Sequence, residues 1–217
     1  MSPGPEGDTV VKDNGRPNLR FGPPGIDDGI LLWQLARDSA ALDVNSRYSY
    51  LLWCRDFAAS SVTVRDGSRL AGFITGFIRP QAPDTLFVWQ VAVADSHRRR
   101  GLARRMLDHL VTRLAPGGVN YVEATVTPDN TPSTRLFTSF ATAHGANLTR
   151  DELFSETTLG DGHSAEVLFR IGPLSASPLV GHSGFIADPG MEPLLAPSAP
   201  GAAVHGLQLP QADPRKP

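Results

Sequence analysis

The sequence predicts an α+β domain on a mixed, mostly antiparallel sheet, and three observations carry that prediction. Short runs rich in Val, Ile, Thr and Phe alternate with amphipathic stretches of helical period. The Asp66-Gly67 pair joins two such runs as a hairpin, which makes them antiparallel. One strand-helix-strand passage, from Thr85 through Leu114 to Val126, supplies the crossover that a parallel pair needs. A doubly wound fold would repeat that passage throughout, and this chain does not.

Taken in order, Asp27-Asp28 is placed to cap a first helix with apolar positions Ile30, Leu31, Trp33, Leu35 and Ala36. Ser46 caps a second helix running through Leu51, Leu52 and Phe57. Residues 61–64 and 70–78 form the hairpin, and 85–94 the next strand. A helix over 102–114 follows, then a strand over 121–126. Pro128-Asp129-Asn130 breaks the chain before a helix through Leu136, Phe137 and Phe140, and a last strand covers 165–171.

Composition limits the function. With 41% hydrophobic and 19% charged residues, the chain reads as an ordinary globular protein, and no apolar run approaches the roughly 20 residues of a membrane span. Residues 1–16 carry no basic segment followed by an apolar core, so no secretory signal is expected. The single cysteine, Cys54, forbids an intrachain disulfide and fits a reducing cytoplasm. It lies in the apolar helical run Tyr50-Leu51-Leu52-Trp53-Cys54, where a buried structural thiol is expected. From Ser175 onward prolines punctuate Ala, Gly and Ser, so 175–217 is read as a disordered tail, 1–16 as a disordered extension, and 17–174 as the domain.

Arg98-Arg99-Arg100-Gly101-Leu102-Ala103 is the strongest motif. A strand that turns into a helix there leaves unpaired backbone N–H groups at the helix start, and a pyrophosphate fills them. Gly101 and Ala103 allow close approach, while Arg98, Arg99 and Arg100 add mobile positive charge. No Gly-x-x-x-x-Gly-Lys-Ser/Thr run exists, which excludes the Walker loop. The plainer reading is a solvated charge run or a nucleic-acid patch. A net charge of −2, with no second basic cluster, argues against nucleic acid.

Arg98-x-x-Gly101-x-Ala103 after a strand, with Asn130 opening a helix after the next strand, resembles the GCN5-related N-acetyltransferase family. The resemblance implies the GNAT fold, with helices on both faces of the sheet and a V-shaped splay between two parallel strands, here 85–94 and 121–126. It implies acetyl-CoA as co-substrate, seated in the V. Val91 and Val93 then offer backbone groups to the pantetheine amides, and Asn130 holds the cofactor arm from the other side or serves as a helix cap, roles that are compatible. Ala103 stands where a glycine is more usual. Phe137 stands where many members carry a tyrosine that protonates the leaving thiolate.

Four segments narrow the likeness: 42–48 (Leu-Asp-Val-Asn-Ser-Arg-Tyr), 83–91, 123–130 and 162–169. They are similar to the L-2,4-diaminobutyrate acetyltransferases, which make the acetylated precursor of the compatible solute ectoine. That likeness implies acetyl transfer to the side-chain amine of diaminobutyrate, and a homodimer. A substrate with two ammonium groups needs acidic and polar partners, and Asp43, Asn45, Tyr48 and Glu166 supply them. Trp89, on the cofactor strand, is expected to face the same side as Val91 and Val93 if no bulge intervenes, and either walls the acceptor pocket or packs in the core. His163, Glu166 and Tyr48 are the candidate proton-handling groups, since an ammonium must lose a proton before it attacks. The alternative for His163 and Glu166 is a turn histidine and a surface glutamate. Glu123 reads as solvent-facing and Asp84 as part of a turn. The histidine spacings suggest no metal site. Two other functions stay open: acetylation of another small amine, and non-catalytic acyl-CoA sensing.

Overall fold

The computed structural model describes residues 9–10, 19–39, 42, 44–160 and 162–175, all within one compact unit, Met1–Val180. Asp43 and most of 175–217 lie outside the described residues. The strands are β1 (Thr9–Val10), β2 (Leu19–Gly22), β3 (Val62–Asp66), β4 (Arg69–Arg79), β5 (Ala82–Val93), β6 (Tyr121–Val126), β7 (Leu148–Phe154) and β8 (Glu166–Ile171). The helices are α1 (Gly29–Asp38), α2 (Arg47–Asp56), α3 (Leu102–Leu114), α4 (Thr131–His144) and the single-turn α5 (Glu156–Leu159). The sheet runs β1-β2-β3-β4-β5-β6-β8-β7 and is antiparallel at every pairing except β5 with β6.

Two apolar layers explain why helices cover both faces. Leu102, Met106, Leu107, Leu110 and Val111 fall on one stripe of α3 and, with Phe137, Phe140 and Ala141 of α4, pack on Val64, Ile74, Leu86, Val88, Val122, Ala124 and Phe169 of the sheet. Burying a side chain such as Leu107 or Leu110 contributes roughly 1.5–3 kcal/mol, so this stripe fixes α3, and with it the preceding turn. On the opposite face Leu32 and Ala36 of α1 and Tyr50 and Cys54 of α2 cover Phe73 and Ala92. Ser46 caps α2 as expected, accepting from the Ser49 amide at 3.2 Å.

Several local expectations change. Asp28 makes no side-chain cap to α1; its carboxylate closes the short turn over Ile26–Asp28 by accepting from the Gly25 amide at 2.8 Å, and pairs with Arg65. Ile30 is exposed, and the helix instead buries Leu32. Asp84 lies in β5, where its carbonyl accepts from the Asn120 amide. Strands β2 and β7 were not predicted: Leu-Arg-Phe-Gly is too short to show a period, and β7 is a polar edge strand exposed along most of its length. Within 1–16, Thr9–Val10 pairs with β2.

Candidate active site

Parallel pairing between β5 and β6 covers Thr85–Tyr121, Leu86–Val122, Phe87–Glu123 and Val88–Ala124, and among the described residues it stops there. Beyond it, β5 continues to Val93 along β4, and β6 continues to Val126 along β8. The two strands therefore diverge with facing backbone edges left unpaired, a demand that an amide-bearing ligand satisfies as an added strand would. Val91 and Val93 lie on the open arm with side chains against the α3 core.

The β5 arm leads directly into the phosphate-type turn. Arg99 (φ 59°) and Gly101 (φ 69°) are both left-handed, separated by one residue, just before the first turn of α3. Such alternation gathers successive N–H groups into an anion-binding concavity, and the free amides of the α3 N-terminus extend it. Nothing lies within 4 Å of where a Gly101 Cβ would stand, so the turn is open to a ligand. Leu102 is buried and Ala103 half-buried against the main core, which leaves their backbone amides as what they offer. Arg98 is not mobile charge: Nε lies 3.0 Å from Asp95 Oδ1 and 3.3 Å from the Val93 carbonyl oxygen, and Nη2 reaches Ser39 O. Arg99 and Arg100 are exposed. On the β6 side Asn130 caps α4, its Oδ1 accepting from the Ser133 amide at 3.1 Å, so the capping role is present.

A bulge reverses the expected direction of Trp89. Thr75 pairs with Gln90 and Gly76 with Val88, leaving Trp89 as an extra residue on β5. Trp89 and Gln90 consequently both face α2, while Val91 and Val93 face α3. Gly76 sits opposite the bulge; a Cβ there would come 2.7 Å from the Phe87 carbonyl oxygen.

Trp89, half-exposed, stacks on Trp53 with centroids 6.1 Å apart, and Trp53 also meets Phe57 and Phe77. These residues line a cavity of about 430 Å³ together with Asn45, Ser49, Ile78 and Pro80. Of the predicted acceptor residues, Asn45 and Trp89 line it. Tyr48 is exposed on the first turn of α2, and His163 is exposed between α5 and β8. Glu166 opens β8 beside the end of β6 and shares the sheet face of Trp89, because Arg170 pairs with Glu123, Glu123 with Phe87, and alternate residues follow. The pocket residue Trp53 was not singled out from sequence; its signal was the four-residue spacing of Asn45, Ser49, Trp53 and Phe57, one stripe leading into and along α2.

Three further residues gain definite places. Glu123 is buried, not solvent-facing: Oε2 accepts from Arg79 Nη1 at 2.7 Å and Oε1 from Arg170. Phe137 is buried against Phe169 in the main core. Burial, aided by the charge of Asp28, pushes the Cys54 thiol up to about 11. No group of three potential metal ligands occurs among the described residues. Among them, no helix is long and apolar enough to cross a membrane.

A splayed parallel pair feeding a left-handed turn suits a long, amide-rich thioester with a diphosphate toward its far end, and an acylated coenzyme A has that form. Residues 30–141 match the Acetyltransferase (GNAT) family, and the chain belongs to that family of acetyl-CoA-dependent N-acetyltransferases. It is 56% identical over 162 residues to the L-2,4-diaminobutyric acid acetyltransferase of Streptomyces coelicolor, covering 73% of this chain and 95% of that protein. The enzyme of the same name from Halalkalibacterium halodurans is 44% identical over 157 residues, covering 72% and 82%. The diaminobutyrate acetyltransferase EctA of Paenibacillus lautus, solved with L-2,4-diaminobutyric acid and coenzyme A, superposes with a TM-score of 0.70 at 38% identity, covering 75% of this chain and 99% of that one. Within the GNAT family the chain therefore groups with the diaminobutyrate acetyltransferases. Ard1 of Thermoplasma volcanium, at 17% identity, a TM-score of 0.56 and coverage of 70% and 97%, shares the fold.

Proposed function

We propose that this enzyme transfers the acetyl group of acetyl-CoA to the 4-amino group of L-2,4-diaminobutyrate, giving N4-acetyl-L-2,4-diaminobutyrate as the precursor of ectoine. The observation that carries the reading is the divergence of β5 and β6 beyond Val88 and Ala124, with Trp89 and Glu166 on one sheet face beside the opening. The backbone of Val91 and Val93 receives the pantetheine arm, with Asn130 across from it. The amides of Gly101, Leu102 and Ala103 receive the pyrophosphate, with the Arg99 and Arg100 side chains free to close over it and Arg98 holding the turn in shape. Acetyl-CoA supplies an acyl carbon activated as a thioester.

The acceptor enters from the α2 side. Asp43 and Glu166 are the acids assigned to its ammonium groups, while Asn45, Tyr48 and the Trp89 indole shape the recess. His163 and Glu166 take up the proton that the 4-ammonium must lose before its lone pair reaches the carbonyl carbon. No covalent enzyme intermediate is needed. Phe137 offers no hydroxyl, so the departing thiolate draws its proton from Tyr48 or water. The enzyme works in the cytoplasm as a homodimer, with 17–174 as the catalytic domain and 1–16 and 175–217 as extensions to it.

The test is thiol release from acetyl-CoA with a panel of amines, and NMR of the product. The reading expects release with diaminobutyrate and a shifted C4 methylene. Release with spermidine or a peptide and none with diaminobutyrate would reject it in favour of another acceptor. Binding of acetyl-CoA with no release for any amine would favour a sensor.

A further inference from the structure

Arg79, Glu123 and Arg170 form a cluster that the catalytic reading leaves unused. Glu123 lies on β6 one pair before the splay, opposite Phe87, and Arg170 lies opposite it on β8. Direct pairing puts Phe87, Glu123 and Arg170 on one face, the face of Trp89, and Arg79 joins them through its hydrogen bond to Glu123. Arg79 ends β4, and its chain neighbours Ile78 and Pro80 both line the aromatic cavity. Phe87 joins the two features, with its ring 5.2 Å from that of Phe77, a wall of the same cavity.

Charge in this cluster does not balance. Two guanidiniums share one carboxylate, each through a single Nη1 atom, so one positive charge remains. Both arginine side chains are 36% exposed while Glu123 is 2% exposed, so the acid anchors two cations whose outer edges are open to solvent. Arg170 is held further by the Tyr121 ring, 4.2 Å beneath its guanidinium carbon. Among the described residues, no other acceptor engages the remaining N–H groups of either arginine. Such a fork, fixed in place and short of acceptors, is suited to a carboxylate.

Resting on diaminobutyrate as acceptor, we infer that Arg79 and Arg170, spaced by Glu123, bind the substrate α-carboxylate and make the enzyme select a diamino acid over a plain diamine. Glu166 is then left for an ammonium group, and the cationic shelf takes the opposite end of the molecule, which fixes which amine reaches the thioester.

The experiment compares kcat/KM for L-2,4-diaminobutyrate and for 1,3-diaminopropane, the same molecule without its carboxylate, in wild type, Arg79→Gln, Arg170→Gln and Arg170→Lys. Both amines are measured in one preparation, so any loss of folded protein cancels in the ratio. Wild type prefers diaminobutyrate by at least about tenfold, or ~1.4 kcal/mol. Each Gln variant brings the ratio to within about threefold of unity, Arg170→Lys retains part of the preference, and KM for acetyl-CoA is unchanged. A ratio that stays at the wild-type value in both Gln variants overturns the shelf while leaving the acetyltransferase reading standing. A wild type inert toward diaminobutyrate overturns the reading beneath it.

Discussion

Tyr50 donates its phenolic hydrogen to the Gln90 side-chain oxygen across 2.9 Å, and through it α2 is fastened to the bulge that turns Trp89 toward Trp53 of α2. Tyr50 is almost wholly buried, and burial raises its phenol above the usual range against the lowering effect of bonds to Gln90 and Asn45. Tyr50→Phe keeps the ring and deletes the bond. The expected cost is about 1–2 kcal/mol, or roughly 2–8 °C in Tm, with KM for the amine rising more than KM for acetyl-CoA. A thermal melt and a two-substrate titration check both parts.

Gly101 occupies a left-handed conformation that a β-branched residue resists. Gly101→Val should therefore deform the phosphate turn and raise KM for acetyl-CoA by about tenfold or more, at a stability cost of about 1–3 kcal/mol. KM for diaminobutyrate should barely move. Equal rises for the two substrates would mean that turn and acceptor recess are not separate.

Cys54 should behave as an inert core thiol. At a value of about 11, about one molecule in a thousand carries the thiolate at pH 8, and the side chain is buried besides. Titration with an aromatic disulfide reagent should give slow labelling in buffer and one fast equivalent in denaturant. Fast labelling of native protein would contradict the packing of α2.

His109, whose ring sits 5.5 Å from that of Phe21, is pushed below its ordinary 6.5 by burial first and by the Arg113 charge second. The unfolded chain therefore binds this proton more readily than the folded one, and stability falls as pH drops below about 6.5. His109→Phe should flatten the pH dependence between pH 7 and 5 by up to about 1.4 kcal/mol per pH unit. Chemical denaturation of both proteins at several pH values measures the difference.

How much of this was legible in the sequence depended on whether a feature was local. The Ser46 cap, the Asp66-Gly67 hairpin and the α3 stripe are written in neighbouring residues, and each stands in the structure. The turn that opens α3 at Gly101 was legible for the same reason. The direction of Trp89 was not, because the bulge is a property of β4 and β5 together, with Gly76 permitting it from the opposite strand. Glu123 misled for a similar reason: a strand acid reads as solvent-facing until Arg79 and Arg170, 44 and 47 residues away, are seen to close over it.

The seat between the diverging strands is tested most directly by amide hydrogen exchange with and without acetyl-CoA. Binding should slow exchange in residues 89–93 of β5 and 99–103 of the turn, and leave 86–88, already paired with β6, unchanged. Saturation with acetyl-CoA that protects neither segment would contradict the account.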